Sequence, residues 1–176
     1  MNATVVAAAL GALASVAVGI IANFLAEDYR RWRDGAALSA AISGELASYE
    51  PAEPILRGMF SGWAHKTGRG EREDLVFRQF DKPTDVVFDS IVAKIGLLEP
   101  KLIEDIVYVY GNLKGMRNAM MMVMNEHSTM SDDELMLRAN ACIDALDRAS
   151  DRGKKLVPAL KARAACGWKP WPAART

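Results

Sequence analysis

The first 26 residues form one apolar block, and a mixed pattern of polar and apolar positions begins only after it. Between Ala3 and Ala26 there is no charged side chain. A helix over these 24 residues is about 36 Å long, against a hydrocarbon core of about 30 Å. The block therefore predicts a transmembrane helix over residues 1–26. A cleaved signal peptide is the alternative, but the segment lacks the positively charged start of such peptides.

After this block, apolar residues recur at helical spacing and no stretch alternates like a strand. Residues 27–50 predict a juxtamembrane helix that continues the span, with Gly35 and Gly44 as points of bending. Residues 51–163 predict a cytosolic helical bundle with a polar, flexible loop at 65–73. The predicted fold is all-α, with one N-terminal transmembrane helix that continues into a cytosolic antiparallel helical bundle.

Breaker and capping residues mark the later helices. Lys82-Pro83-Thr84 predicts a helix start, with Thr84 as the N-cap of a helix over 85–96. Ser131 and Glu134 have the spacing of a capping box, and Pro158 predicts a kink or an end in the helix that follows. The longest periodic run in the predicted cytosolic part contains Leu102, Ile103, Ile106, Val109, Tyr110, Leu113, Met116, Arg117, Met120 and Val123.

Small or polar residues recur at every fourth position of the predicted span. Such a stripe lets another helix approach closely in lipid, so we expect it to be a helix-packing surface. Packing against a second copy and packing against a larger membrane protein both remain open. The stripe consists of Ala7, Gly11, Ser15, Gly19 and Asn23.

Cationic and aromatic residues follow the span directly. Arginine residues on the C-terminal side of the span predict that residues 27–176 lie in the cytosol. The N-terminus is then expected outside the inner membrane of a bacterium. The two aromatic rings are typical of the headgroup level of a bilayer. This predicted interface anchor contains Tyr29, Arg30, Arg31, Trp32 and Arg33.

Charge is balanced overall, at 22 basic and 22 acidic residues, but it is unevenly distributed. Seven basic residues and no acidic one lie after Asp151. The Trp- and Pro-containing tail at 164–176 predicts a second contact to anionic lipid or to a protein partner. Docking on the chain's own acidic bundle, polyanion binding and a disordered end are the alternatives, with nucleic acid disfavoured. The predicted contact residues are Lys161, Arg163, Trp168, Lys169, Trp171 and Arg175.

Side chains with catalytic or metal-binding chemistry are sparse. Glu126, His127 and the following pair Asp132 and Asp133 match no known ligand or catalytic spacing, and they predict a polar turn before a helix. Cys142 and Cys166 lie far apart, which argues against a disulfide framework or a zinc site. The methionines are interpreted as core filler, with a partner groove or a Cu(I) site as alternatives. We expect no enzymatic activity and no cofactor. The methionines are Met116, Met120, Met121, Met122 and Met124.

The segment 88–98, with Leu102, Ile106, Tyr110 and Leu113 after it, resembles a pattern in small bacterial and phage-encoded single-pass membrane proteins. This resemblance implies a single transmembrane span followed by a cytosolic helical segment. It identifies no catalytic residue. The expected function is that of a non-enzymatic assembly or accessory subunit, acting through helix contacts in the membrane and a cytosolic bundle. The alternative is an oligomeric membrane-perturbing effector or small channel.

Overall fold

A computed structural model describes residues 3–77 and 85–169, with side chains from Leu10 onward, and these residues are all-α without a strand. Thr84, the predicted N-cap, lies outside the described residues. Short 3-10 turns join several of the α-helices. The α-helices are α1 (Ala3–Tyr49), α2 (Glu53–Gly68), α3 (Val86–Ile91), α4 (Pro100–Glu126) and α5 (Asp132–Ala165).

Helix α1 runs through 47 residues, and neither Gly35 nor Gly44 interrupts it. A Cβ atom at Gly35 would lie 3.0 Å from the guanidinium of Arg163 and 3.0 Å from the carbonyl oxygen of Leu97. Gly35 is therefore the point where two other parts of the chain approach α1 closely. From this residue onward α1 packs into what we call the helical body, residues 35–77 and 85–165.

Helix α5 is the central element of the helical body, because α1, α2 and α4 all pack against it. Arg152 of α5 pairs with Asp105 near the start of α4, at 2.9 Å. The Cys142 thiol lies 3.7 Å from the carbonyl oxygen of Met116, which is further along α4. Helices α4 and α5 therefore run in opposite directions.

Two apolar clusters form the core, and they lie at different heights along α4 and α5. One surrounds Phe60 of α2, and the other surrounds Ile42 of α1. Both side chains are almost completely buried. Most of the periodic positions predicted for α4 face these clusters, so its predicted buried face is largely confirmed. The interpretation as core filler is confirmed for Met116, Met120 and Met124.

The loop predicted at 65–73 is shorter than expected, because α2 continues to Gly68. Thr67 is buried, which holds the last turn of α2 against the body. The chain reverses at Gly70, whose φ of 72° lies in the left-handed region that glycine tolerates. Arg72 then anchors the segment by donating to the carbonyl oxygens of His127 and Met130.

Two other predicted boundaries also differ. Pro158 does not end α5, which continues to Ala165, because the buried side chains of Leu156 and Leu160 hold the helix on both sides of the proline. The helix predicted over 85–96 is α-helical only in α3 and continues as a 3-10 helix over Val92–Leu97. A 3-10 helix has a larger rise per residue than an α-helix, so this segment carries the chain further toward the start of α4. The N-cap of the predicted capping box is confirmed, since the amide of Glu134 donates to the hydroxyl of Ser131 at 3.2 Å.

Candidate functional site at the base of the apolar helix

The stretch of α1 between Leu10 and Phe24 packs against no other part of the described chain. Its large apolar side chains are between 58% and 70% exposed. It is the one described segment long and apolar enough to cross a membrane, judged by length and composition. Contiguous apolar patches larger than a few hundred Å² are rare on soluble monomers. This stretch is therefore the most prominent candidate interaction surface of the described chain.

The predicted stripe of small residues lies on this exposed stretch. A Cβ atom at Gly11 or Gly19 would meet nothing within 4 Å. The hydroxyl of Ser15 donates to the carbonyl oxygen of Gly11 at 2.9 Å, so it is satisfied within the helix. Asn23 is also exposed, and the side chain of Ala7 lies outside the described residues. The described chain leaves the stripe open to an external partner.

A second set of small residues is exposed further along α1. Ala37, Ala41, Gly44 and Ser48 follow one another at intervals of three or four residues, and all four are exposed. They lie on the side of α1 opposite to Ile42, which is buried against the helical body. The exposed arginines Arg30 and Arg33 separate this set from the stripe in the apolar stretch.

At the base of the apolar stretch, two predicted anchor residues meet the described part of the tail. The ring of Tyr29 lies 5.6 Å from that of Trp32 and 5.3 Å from that of Trp168, the latter in an edge-on arrangement. The indole N–H of Trp168 donates to Asp28 at 3.1 Å. Trp168 thus contacts α1 of its own chain, at residues that precede the predicted bundle. Trp171 and Arg175 lie outside the described residues.

The predicted cationic residues are distributed around this base. Arg30 pairs with Glu27 at 3.6 Å, and Arg33 pairs with its neighbour Asp34 at 3.2 Å. Both arginines are well exposed, so these pairs contribute little stability. Lys161 is exposed at the rim of a separate groove of about 340 Å³ on the other side of α5.

A cavity of about 750 Å³ opens beside the aromatic cluster. Its apolar lining includes Phe24 and Leu98, and its basic lining includes Arg31, Arg163 and Lys169. Arg163 donates from Nε to Glu99 at 2.9 Å, which ties α5 to the segment before α4. The cavity is thus both apolar and charged.

Trp32 in the wall of this cavity carries a polar atom without a partner. Its indole N–H is buried and has no hydrogen-bond acceptor among the described atoms. A buried donor without an acceptor costs about 1–3 kcal/mol. The described structure therefore carries this cost at Trp32, and the cavity does not expose the N–H to a ligand.

The sequence pattern did not predict the buried polar network between α1, α4 and the residues before α3. Asp85 accepts from Arg117 at 2.6 Å and from the hydroxyl of Tyr49 at 3.0 Å. Glu45 accepts from the hydroxyl of Tyr110 at 2.6 Å and from two backbone amides at the start of α3. Its carboxylate therefore takes the place of an N-cap side chain for α3. The network ties together elements that are distant in sequence.

The tyrosines of this network are held in their neutral form. Burial, followed by the hydrogen bond to the Asp85 carboxylate, raises the pKa of Tyr49 to about 12. Burial and the Glu45 carboxylate likewise raise the pKa of Tyr110. Both carboxylates are used in holding helices together, and we assign the network a structural role. Its one sequence signal is Arg117, a charged residue at an apolar position of the α4 pattern.

The acidic and histidine residues at the α4–α5 turn are used in packing and capping. The ring of His127 stacks on Phe77 at 4.0 Å, and its Nδ1 lies 3.2 Å from the carbonyl oxygen of Met124. Asp132 pairs with Arg72 at 2.9 Å. In the part of the chain that the structure describes, no cluster of three or more His, Cys, Asp or Glu has the arrangement of a metal site.

The two cysteines differ sharply in accessibility. Cys142 is completely buried in the core, and burial raises the pKa of its thiol to about 12. Cys166 is exposed and lines the cavity. Only Cys166 is thus expected to react with thiol reagents in the native protein.

The base of α1 therefore brings together an exposed apolar helix, an aromatic cluster and a cavity with basic residues. Such a combination suits binding to an apolar surface that carries polar or charged groups at its edge. No protein-family model, curated protein or solved structure matches this chain.

Proposed function

We propose that this protein is a non-enzymatic, single-pass membrane protein that acts as an assembly or accessory subunit. The observation that carries the proposal is the exposed apolar stretch between Leu10 and Phe24, which has no partner in the described chain. Transfer of apolar surface out of water is favourable by roughly 25 cal/mol per Å². A bilayer supplies the apolar surroundings that the described chain does not. The uninterrupted α1 then links the span directly to the helical body.

In the proposed topology, the N-terminus lies outside the bacterial inner membrane and the antiparallel helical bundle lies in the cytosol. Support comes from the arginines Arg30, Arg31 and Arg33, which follow the span. The cluster of Tyr29, Trp32 and Trp168 then lies at the headgroup level, where tyrosine and tryptophan are enriched.

Assembly is proposed to occur along the exposed small-residue face of α1. A partner helix on this face contacts Gly11 and Gly19 in the bilayer, where a Cβ atom would meet nothing within 4 Å. The helical body packs on the opposite side of α1 and does not obstruct the partner. Two copies in one membrane share the same orientation, so their α1 helices pair in parallel. A helix of a larger complex that crosses the membrane in the same direction pairs with α1 in parallel as well.

Chemical crosslinking in native membranes tests this assembly. Wild-type protein is expected to form crosslinks with itself or with a partner, and Gly19→Leu is expected to reduce them about fivefold or more, because the added side chain separates the helices. Gly19 has open space around it in the monomer, so the substitution leaves the helical body intact.

Ala17→Leu is the matched control, since Ala17 is exposed on a different face of the same turn. It should leave the crosslinks unchanged. A strictly monomeric protein, unaffected by either substitution, would contradict the assembly role. Collapse of the membrane potential on overexpression would favour the channel alternative instead.

A further inference from the structure

We propose that the cavity at the base of α1 binds the phosphate headgroup of an anionic phospholipid. This inference rests on the proposed function and adds a ligand class to it. The occupant is a lipid rather than a soluble anion because Phe24 and Leu98 contribute apolar walls beside the basic residues. A ligand that fills this cavity therefore has both an apolar part and a negative charge.

The position of the cavity along α1 matches the depth of lipid headgroups. Phe24 lines the cavity and is also the last large residue of the exposed apolar stretch. Trp32, two turns further along α1, lines it as well. When the apolar stretch lies in the hydrocarbon core, the cavity therefore opens where the phosphate groups of that leaflet lie.

The charges around the cavity favour an anion. Three acidic residues also line the cavity, and each is engaged: Glu27 pairs with Arg30, Asp28 accepts from the indole of Trp168, and Glu99 accepts from Arg163. By contrast, Arg31 and Lys169 are exposed and form no ion pair with the described residues. An arginine guanidinium can donate two parallel hydrogen bonds to a phosphate, and a lysine adds a mobile positive charge.

Cys166 provides a direct reporter of occupancy, since it lines the cavity while Cys142 is buried. The full chain is placed in nanodiscs of phosphatidylcholine alone, or with about one quarter phosphatidylglycerol. The rate at which uncharged N-ethylmaleimide modifies Cys166 is then measured. Phosphatidylglycerol is expected to slow this modification at least about threefold in the wild type. The Arg31→Gln/Lys169→Gln variant is expected to lose the protection.

Arg33→Gln/Lys161→Gln is the matched control, because it removes the same charge from exposed positions that do not line the cavity, and Asp34, the partner of Arg33, does not line it either. It should retain the protection. Equal protection in both double variants would show a general effect of surface charge and overturn the inference. Protection by inorganic phosphate in phosphatidylcholine nanodiscs would point to a soluble anion and overturn it too.

The same measurement separates this inference from the proposed function. A chain that enters both nanodiscs but shows no effect of phosphatidylglycerol overturns the lipid site alone. A chain that enters neither nanodisc overturns the membrane proposal and the lipid site together. Both double variants alter only exposed side chains, and unchanged helical circular dichroism establishes that they are folded.

Discussion

Replacing Arg117 by methionine is expected to lower the free energy of unfolding of the protein by about 3–5 kcal/mol. The guanidinium of Arg117 lies 2.6 Å from Asp85, and both side chains are about nine-tenths buried. Methionine retains much of the side-chain volume but leaves the Asp85 carboxylate buried without its cation. Among the described residues, the hydroxyl of Tyr49 is then the one side-chain donor left to that carboxylate. The decrease in the free energy of unfolding is measured by denaturant unfolding in detergent, monitored by circular dichroism.

Arg138→Met is the control for removal of an arginine from an ion pair. Arg138 pairs with Glu134 one turn away at 2.7 Å, and both side chains are partly exposed. Loss of this ion pair is expected to lower the free energy of unfolding by less than about 1 kcal/mol. Adding Asp85→Asn to the Arg117→Met variant should restore part of the stability, because the neutral amide leaves no unpaired charge. Similar losses for Arg117→Met and Arg138→Met would contradict the structural role of the network.

Two arginines in the exposed apolar stretch are expected to release the protein from the membrane. On the insertion scale, an arginine near the centre of a span costs about 2.5–3.5 kcal/mol. The Val16→Arg/Ile20→Arg variant therefore faces an added cost of about 5 kcal/mol or more. After alkaline extraction, the wild type is expected in the membrane pellet and the variant in the soluble or aggregated fraction.

The control for this experiment is Leu137→Arg in α5. Leu137 is 70% exposed, as prominent as Val16 at 60% and Ile20 at 65%, but it lies on the surface of the helical body. We expect it to remain in the membrane pellet with the wild type. A double-arginine variant that also remained there would show that the apolar stretch is not what holds the protein on the membrane.

The features that the sequence predicts correctly are those with local physical signals. The exposed apolar stretch is contiguous in sequence, and the buried face of α4 follows from helical spacing. The N-cap bond at Ser131 depends on two residues three positions apart. Each of these signals lies within one helix, so no knowledge of tertiary contacts is needed to find it.

The features that the sequence does not predict depend on contacts between distant residues. Glu45 meets Tyr110 only after α1 and α4 have packed together. The contact of Trp168 with Tyr29 likewise requires α5 to return along α1. Tertiary packing also explains why α5 continues past Pro158, since the buried residues beside the proline outweigh its local helix-breaking tendency.

Labelling of Cys166 in sealed, right-side-out membrane vesicles tests the central claim most directly. Cys166 is exposed at the base of α1, and Cys142 is buried, so the native protein offers one reactive thiol. If α1 spans the membrane with the helical body in the cytosol, a membrane-impermeant maleimide should leave Cys166 unmodified until detergent opens the vesicles. Full modification of Cys166 in vesicles that are still sealed would contradict the proposed topology.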